Sequence, residues 1–255
     1  MVAKLPDFAK EAVYIIHAIN GYEAHEARIR SLFPRFGLSF KFITQGDPSL
    51  FSESILEKYF VSDIKEVLSP GVLSCTLNHI LAYEELVKSG LPMALIFEND
   101  PYFLSNFEYN LQKVLKEAIT LPPGFIISLE NSTLRFPSYW QKRKEKYLYL
   151  ADNGRMAGAY LIDLKAAQNA LNDLRQNKCK QVIDWWHNEL INRGVVKMYW
   201  AHPPLTEQGS HNGLLHAGIS SKKSGIIRQL KWKIQKVFKY YLGRLINQAA
   251  IQNIE

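Results

Sequence analysis

The sequence is poor in cysteine. Only Cys75 and Cys179 occur among its 255 residues, and they lie too far apart to share a metal-ligand motif. Disulfide-rich scaffolds and zinc-ribbon domains need more cysteines at closer spacing, so neither class fits. No nucleophile signature surrounds either residue. We therefore expect two free thiols in a reducing compartment.

Long hydrophobic runs are missing as well. No apolar segment reaches the roughly 18 residues that a membrane-spanning helix needs. The segment Met1–Lys10 carries charges without an apolar stretch, and the run Val13–Ile19 is short and contains His17. The sequence therefore predicts neither a signal peptide nor a transmembrane helix, and we expect a protein on the cytosolic side.

Several well-known motifs are also absent. The sequence has no P-loop and no glycine-rich dinucleotide fingerprint, and the glycines of Gly154–Gly158 are too loosely spaced to count as one. Neither H-E-x-x-H nor G-x-S-x-G occurs. The sequence therefore does not indicate a zinc protease or an α/β-hydrolase.

Positive charge is concentrated at the C-terminal end. The net charge is +7, and eight of the 31 basic residues but only one of the 24 acidic residues lie from Lys222 onward. The two signs balance over residues 1–221, which argues against a nucleic-acid-binding body. We predict a domain over 1–221 and a basic tail over 222–255.

Hydrophobic periodicity predicts alternating strands and helices. The strands are expected at Val13–Ile16, Leu38–Thr44, Pro92–Phe97, Phe125–Leu129, Ala159–Leu164 and Val195–Trp200. The clearest helix begins at Ser69-Pro70, a favoured cap followed by a residue that suits a first turn, and ends at Gly90. This order predicts an α/β fold, a single domain with a mainly parallel central sheet flanked by helices.

The expected strand Pro92–Phe97 ends in Glu98-Asn99-Asp100. Ligands of open α/β sheets bind outside the carboxyl ends of the strands. Oxygen ligands at such a position suit Mg²⁺ or Mn²⁺, which in turn bind phosphates. The alternative is that these residues begin a turn before Pro101.

Several segments, taken in order over residues 12–212, resemble glycosyltransferase family 25, which includes lipopolysaccharide and lipooligosaccharide glycosyltransferases. The strand end Ile96–Asp100 resembles the family's Ile-Leu-Glu-Asp-Asp. The others are Val13–Ile16 with Arg28, Gly71–His79, Gly158–Ile162, Ile183–Trp186, Pro203–Leu205, Gln208 and Ser210. The resemblance implies a GT-A-like fold, a UDP-sugar donor and transfer with inversion.

The resemblance also implies roles for individual residues. Asp100 would be the main ligand of Mn²⁺ or Mg²⁺, with Glu98 and His211 as further ligands. Residues expected at the donor are His17, Arg28, Asn78, His79, Glu98, Asn99, Gln208 and Ser210. For His79, a packed core histidine bonded to the backbone is the alternative.

Three positions depart from the family pattern. Asn99 replaces the middle acid, His17 replaces an asparagine after the first strand, and Asn78 replaces a serine. These changes allow an altered donor preference, a weaker metal dependence or an inactive relative that binds nucleotide-sugar or glycan.

Inverting transfer needs a carboxylate that accepts the proton of the acceptor hydroxyl. Asp184 is the first candidate and Glu130 the second. Asp184 could instead be an acid at the start of a helix, stabilised by the helix dipole. Trp185 and Trp186 could stack on a sugar ring or pack in the core.

Residues 226–246 place apolar side chains on one helical stripe, with most basic residues opposite. Such a basic amphipathic helix is typical of binding to an anionic membrane surface. It would bring the enzyme to a lipid-linked oligosaccharide acceptor at the inner face of the bacterial inner membrane. The alternatives are docking on the protein's own body, dimerisation, or a role as a membrane-attached assembly partner.

Overall fold

The computed structural model describes residues 11–132 and 137–212, together with positions 234, 237, 238 and 241. Nine strands are described: β1 (Val13–Ile16), β2 (Lys41–Ile43), β3 (Met93–Glu98), β4 (Pro101–Phe103), β5 (Phe125–Ser128), β6 (Leu148–Ala151), β7 (Ala159–Asp163), β8 (Lys197–Ala201) and β9 (Thr206–Gln208).

Eight α-helices are described: α1 (Glu23–Leu32), α2 (Glu53–Tyr59), α3 (Ile64–Val67), α4 (Pro70–Ser89), α5 (Phe107–Ala118), α6 (Leu164–Gln176), α7 (Ile183–Asn192) and α8 (Gly209–Asn212). Two 3-10 turns lie at Phe33–Phe36 and Pro48–Leu50.

Seven strands form the central sheet in the order β2-β1-β3-β7-β5-β8-β6. The pairs β1–β2, β1–β3 and β5–β8 are parallel, and β7 and β6 run antiparallel to their neighbours. Five of the seven strands therefore point the same way, and the expected α/β domain with a mainly parallel sheet is confirmed. A second sheet pairs β4 with β9.

Helices cover both faces of the sheet. Side chains of a strand alternate between the two faces, so Ala94 and Ile96 of β3 pack with α4, α6 and α7, whereas Leu95 and Phe97 pack with α1 and α5. Each fully buried aliphatic side chain contributes about 1.5–3 kcal/mol. The central strands are thus largely apolar on both faces.

The boundaries of α4 follow from its sequence. Ser69 has extended backbone angles before Pro70, and Gly90 has φ of 68° after Ser89, in the left-handed region that glycine adopts readily. The helix lies against β1, β2 and β3. Its first turns therefore reach the edge of the sheet at which β1 and β3 end.

The tail lies largely outside the described residues. Its four described positions, Ile234, Val237, Phe238 and Tyr241, are helical, and their side chains are 52–60% exposed. No helix among the described residues is long and apolar enough to cross a membrane.

Candidate functional site

The carboxyl ends of β1 and β3 meet one end of α4. The parallel register pairs Ile16 with Glu98, so the residues that follow the two strands are neighbours. Between them and the first turns of α4 lies a cavity of about 420 Å³. It is lined by Ile16, His17, Ala18, Asn20, Tyr22, Asp47, Pro48, Ser49, Gly71, Ser74, Cys75, Asn78, Glu98 and Asn99. We call it the β1–β3 cavity.

His17 and Asn99 form part of its wall. Nδ2 of Asn99 lies 3.3 Å from Nδ1 of His17, and Nε2 of His17 lies 3.7 Å from a carboxylate oxygen of Glu26. An amide nitrogen can only donate, so Nδ1 accepts and Nε2 carries the proton. Burial lowers the pKa of His17, which keeps the ring neutral near pH 7.

Asn78 connects two loops behind the cavity. Its Oδ1 accepts from the backbone N–H of Gly46 at 2.7 Å, and its Nδ2 donates to the carbonyl of His17 at 3.3 Å. Asp47 accepts from the backbone N–H groups of Ile19 and Ser49. Asn78 therefore reaches the cavity wall, but its side chain mainly holds the loops after β1 and β2 together.

Glu98 is anchored from the opposite side by Gln208. Nε2 of Gln208 donates to Oε2 of Glu98 at 2.8 Å, and the pairing of β4 with β9 brings Gln208 there. The Gln208 side chain lies close to the backbone of Gly158. This contact requires a glycine at position 158, because a Cβ there would lie 2.4 Å from side-chain atoms of Gln208.

Asp100 is buried under the turn after β9. Its Oδ2 accepts from the N–H of Ser210 at 2.8 Å, and its backbone carbonyl accepts from the N–H of Gly209. Its Oδ1 is buried and has no hydrogen-bond partner among the described residues. Asp100 does not belong to the described lining of the cavity but to the layer next to it.

Arg28 contacts β4, the strand that follows Asp100. Its guanidinium donates to the carbonyl of Pro101 and lies 4.1 Å from the ring centre of Tyr102. Burial lowers the pKa of Arg28, and the charge of Asp100 opposes that effect. Arg28 therefore holds β4 and, within the described chain, is not part of the cavity lining.

Glu130 follows β5 and is buried. Its Oε2 accepts from the N–H of Gly158 at 3.1 Å. Burial, and then the charges of Glu98 and Asp100, raise the pKa of Glu130 well above 4.5. A carboxyl group with a raised pKa keeps its proton to a higher pH than an exposed glutamate does.

His79 belongs to a buried chain of polar groups. Its Nδ1 lies 2.8 Å from the Tyr160 hydroxyl, which lies 3.0 Å from the Tyr83 hydroxyl, which in turn lies 2.5 Å from Nε2 of His187. Burial lowers the pKa values of both histidines to about 3. His79 is thus a neutral, packed residue, and its Nε2 faces Glu98 at 3.7 Å.

Asp184 is the second residue of α7, and its Oδ1 accepts from the N–H of Trp185. It is partly exposed. Burial raises the pKa of Cys75 and lowers that of His79, and the charge of Asp184 adds to the first effect and partly offsets the second. Trp185 is 56% exposed, whereas Trp186 is buried against Tyr83. Of the two tryptophans, only Trp185 presents a ring to solvent.

The oxygen atoms of Asp100 and its neighbours fit a hard divalent cation. A buried carboxylate oxygen without a described partner is costly unless a cation or donor approaches it. Glu98 and the amide oxygen of Asn99 supply further oxygen atoms on the same strand end. The side chain of His211, the third expected ligand, lies outside the described residues, so Asp100 and Glu98 are the residues that would hold Mn²⁺ or Mg²⁺.

The structure brings some of the predicted site residues to the cavity and places others behind it. Four of them line it: His17, Asn78, Glu98 and Asn99. The others surround these: Arg28, His79, Asp100, Glu130, Asp184, Gln208 and Ser210. The sequence did not predict Tyr22, Asp47 and Cys75 as cavity residues, although Cys75 lies within the segment Gly71–His79 that resembles the family.

The chain is similar to several known proteins. A model described as glycosyltransferase family 25 (LPS biosynthesis protein) matches residues 10–184. The chain is 23% identical over 207 residues to procollagen galactosyltransferase 1 of Danio rerio, covering 76% of this chain and 33% of that protein. It is 34% identical over 53 residues to probable inactive glycosyltransferase 25 family member 3 of Rattus norvegicus, covering 21% of this chain and 9% of that protein.

The chain therefore spans a third or less of the length of these two relatives. Among solved structures, the apo form of mouse xyloside xylosyltransferase 1 matches with a TM-score of 0.38 and 14% sequence identity, over 76% of this chain and 73% of that one.

Proposed function

Because this chain belongs to glycosyltransferase family 25, we propose that it transfers a sugar, galactose or glucose, from a UDP-linked donor to a lipopolysaccharide or lipooligosaccharide acceptor with inversion. The observation that carries the proposal is the β1–β3 cavity, which is lined by Glu98 and Asn99, the residues that precede Asp100. Its volume of about 420 Å³ lies within the range of about 300–1,000 Å³ that small-molecule sites occupy.

The start of α4 supports a phosphate position in this cavity. Gly71 and Ser74, in the first turns of this 20-residue helix, line the cavity. The side chain of Ser69 makes no capping hydrogen bond, so it does not occupy the first N–H groups. Helix N-termini attract anions through these groups and through the helix dipole.

The charge of the cavity supports a divalent cation. Of the described residues that line it, none is lysine or arginine, whereas Asp47 and Glu98 are acidic. A diphosphate beside Glu98 and Asp100 therefore needs positive charge from elsewhere. Mn²⁺ or Mg²⁺ held by Asp100 and Glu98 would neutralise the charge of the leaving diphosphate. Because Asn99 lacks a charge, we expect only moderate affinity for the ion.

Asp184 is the residue we propose as the base. Burial raises the pKa of Glu130, which disfavours the ionised form that a base needs. Asp184 is partly exposed, and its charge influences Cys75 in the cavity wall. In this role it takes the proton of the acceptor hydroxyl as the new glycosidic bond forms. The exposed ring of Trp185 next to it offers a surface for the acceptor sugar.

The tail supports a lipid-linked acceptor. Its described apolar side chains at Ile234, Val237 and Phe238 are each more than half exposed, as binding to an anionic membrane surface requires. The proposed location is the inner face of the bacterial inner membrane. It rests on the LPS description of the family, since the two curated relatives come from vertebrates. Liposome flotation of the full chain and of a chain ending at Ser221 tests it, and equal flotation of both would contradict membrane binding by the tail.

A second candidate function is a catalytically silent relative that binds nucleotide-sugar or glycan. The observation that favours it is the bond between Asn99 and His17, which uses the amide of Asn99 within the protein. Asn99→Asp separates the two functions. A large gain in turnover supports a weakened site, and unchanged turnover shows that the amide is already competent.

Turnover of a panel of UDP-sugars, with and without Mn²⁺, tests the proposed function. We expect hydrolysis or transfer of at least one donor, stimulated by Mn²⁺. No turnover of any donor, together with no protection of the fold by UDP, would contradict it.

A further inference from the structure

A second set of candidate metal ligands lies in the wall of the β1–β3 cavity. Cys75 and His79 are separated by one turn of α4 and face Glu98 at the end of β3. Sγ of Cys75 and Nε2 of His79 lie 3.9 Å and 3.7 Å from the same atom, Oε1 of Glu98. All three candidate ligand atoms lie within 4.8 Å of one another.

His79 is oriented as a metal-binding histidine is. Its Nδ1 is held by the Tyr160 hydroxyl at 2.8 Å, and its ring stacks on Tyr160. Such a bond from the other ring nitrogen fixes the orientation and the tautomer of a ligating imidazole. Nε2 is fully buried and has no hydrogen-bond partner in the part of the chain that the structure describes. A buried, unpartnered nitrogen aimed at a carboxylate and a thiol needs an occupant.

The spacing of the three atoms is close to that of a tetrahedral zinc site. Zinc binds sulfur at about 2.3 Å and nitrogen or oxygen at about 2.0–2.2 Å, so neighbouring ligands lie roughly 3.3–3.6 Å apart. The two contacts of Glu98 exceed that by a few tenths of an ångström. Small rotations of the Cys75 and Glu98 side chains would close the difference, because both are only partly buried.

We propose that Cys75, His79 and Glu98 bind one Zn²⁺, with the fourth coordination position open to the cavity. The thiol proton of Cys75 is released to solvent as the bond between zinc and sulfur forms. Sulfur and nitrogen ligands select zinc over Mg²⁺ and Mn²⁺, which prefer oxygen. This site shares Glu98 with the oxygen site at Asp100 but differs from it in its sulfur and nitrogen ligands.

Occupancy of this site has a consequence for donor binding, and this consequence rests on the proposed function. Cys75 and Glu98 both line the cavity, so a bound zinc ion would occupy its wall and withdraw Oε1 of Glu98. Zinc is then an inhibitor, whereas Mn²⁺ is an activator.

Titration of the full, chelator-treated chain with Co²⁺, a coloured substitute for zinc, tests the site without any donor. Wild type should bind one equivalent and show the absorption band of a cobalt–thiolate bond, and added Zn²⁺ should abolish that band. Cys75→Ser should lose the band and at least about tenfold in affinity. Cys179→Ser is the matched control, because Cys179 does not belong to the described lining of the cavity and donates to the carbonyl of Gln181.

His79→Gln provides a second variant, and circular dichroism establishes that each variant is folded. No thiolate band in wild type, or an equal band in Cys75→Ser, would overturn the proposal. Since the readout needs neither UDP nor an acceptor, failure of the zinc site and failure of the transferase function give different results.

Discussion

Nδ2 of Asn99 donates a hydrogen bond to Nδ1 of His17 across the wall of the β1–β3 cavity. These are two of the positions at which the sequence departs from the pattern of glycosyltransferase family 25. In the structure they are in contact, so the two departures form one unit. The neutral imidazole accepts at Nδ1 because the amide can only donate.

This contact predicts the response of His17 to Asn99→Asp. A carboxylate at position 99 cannot donate, and it favours a protonated Nδ1, while Nε2 still faces Glu26. We expect the pKa of His17 to rise by about 1 unit or more. A histidine NMR titration measures it, with the exposed Asn153→Asp as the control of equal charge. An unchanged pKa would show that the contact does not govern the imidazole.

The buried Oδ1 of Asp100 predicts the effect of Asp100→Asn. The amide oxygen can still accept from the N–H of Ser210, so we expect the free energy of unfolding to change by about 1 kcal/mol or less. Metal-dependent turnover should fall at least about 100-fold, because the variant loses the charge that binds the cation. Steady-state assays and urea unfolding test both parts. Asp152→Asn, at an exposed position, should retain full turnover.

The close contact between Gly158 and Gln208 predicts that a side chain at position 158 disturbs the hydrogen bond from Gln208 to Glu98. In Gly158→Ala the new Cβ would lie 2.4 Å from Gln208, so Gln208 must move and release Glu98. We expect a loss of about 1–3 kcal/mol in unfolding free energy. Gln208→Ala in the same chain removes the clash, so the double variant should be more stable than Gly158→Ala alone. If the losses in unfolding free energy of the two single variants add up in the double variant, this explanation is wrong.

The raised pKa of Glu130 predicts an unusual dependence of stability on pH. The folded protein binds this proton more tightly than the unfolded chain, whose carboxyl titrates near 4.5. Stability should therefore fall as the pH rises from about 4.5 toward the folded pKa. Glu130→Gln removes this loss while its oxygen still accepts from the N–H of Gly158. Urea unfolding at pH 5, 7 and 8 should show a smaller decline with pH for the variant, and equal declines would contradict the raised pKa of Glu130.

The predictable part of the fold was the part with long hydrophobic patterns. β1, β3 and α4 were expected from their apolar runs and caps, and their ends define the cavity. β4 and β9, of three residues each, are too short to show a period, and they are held by each other's backbone. β6 follows the basic loop at Gln141–Lys146 and pairs at the sheet edge, so only the tertiary structure defines it.

The same limit applies to the site. The acidic strand end of β3 could be predicted because an apolar strand delivers it to the sheet edge. The proximity of Glu130 to Glu98 depends on β7 lying between β3 and β5, which no local pattern encodes. The role of Gln208 as the anchor of Glu98 depends likewise on the pairing of β4 with β9.

The proposed function requires that the β1–β3 cavity binds the nucleotide of the donor. Calorimetric titration with UDP and Mn²⁺ tests it most directly when wild type is compared with Asn20→Trp, an exposed residue of the cavity lining. Asn172→Trp, on the exposed side of α6, is the control. We predict that wild type and Asn172→Trp bind UDP equally and that Asn20→Trp loses at least about tenfold in affinity, or about 1.4 kcal/mol. Equal affinity in all three proteins, or no binding by wild type, would contradict the account.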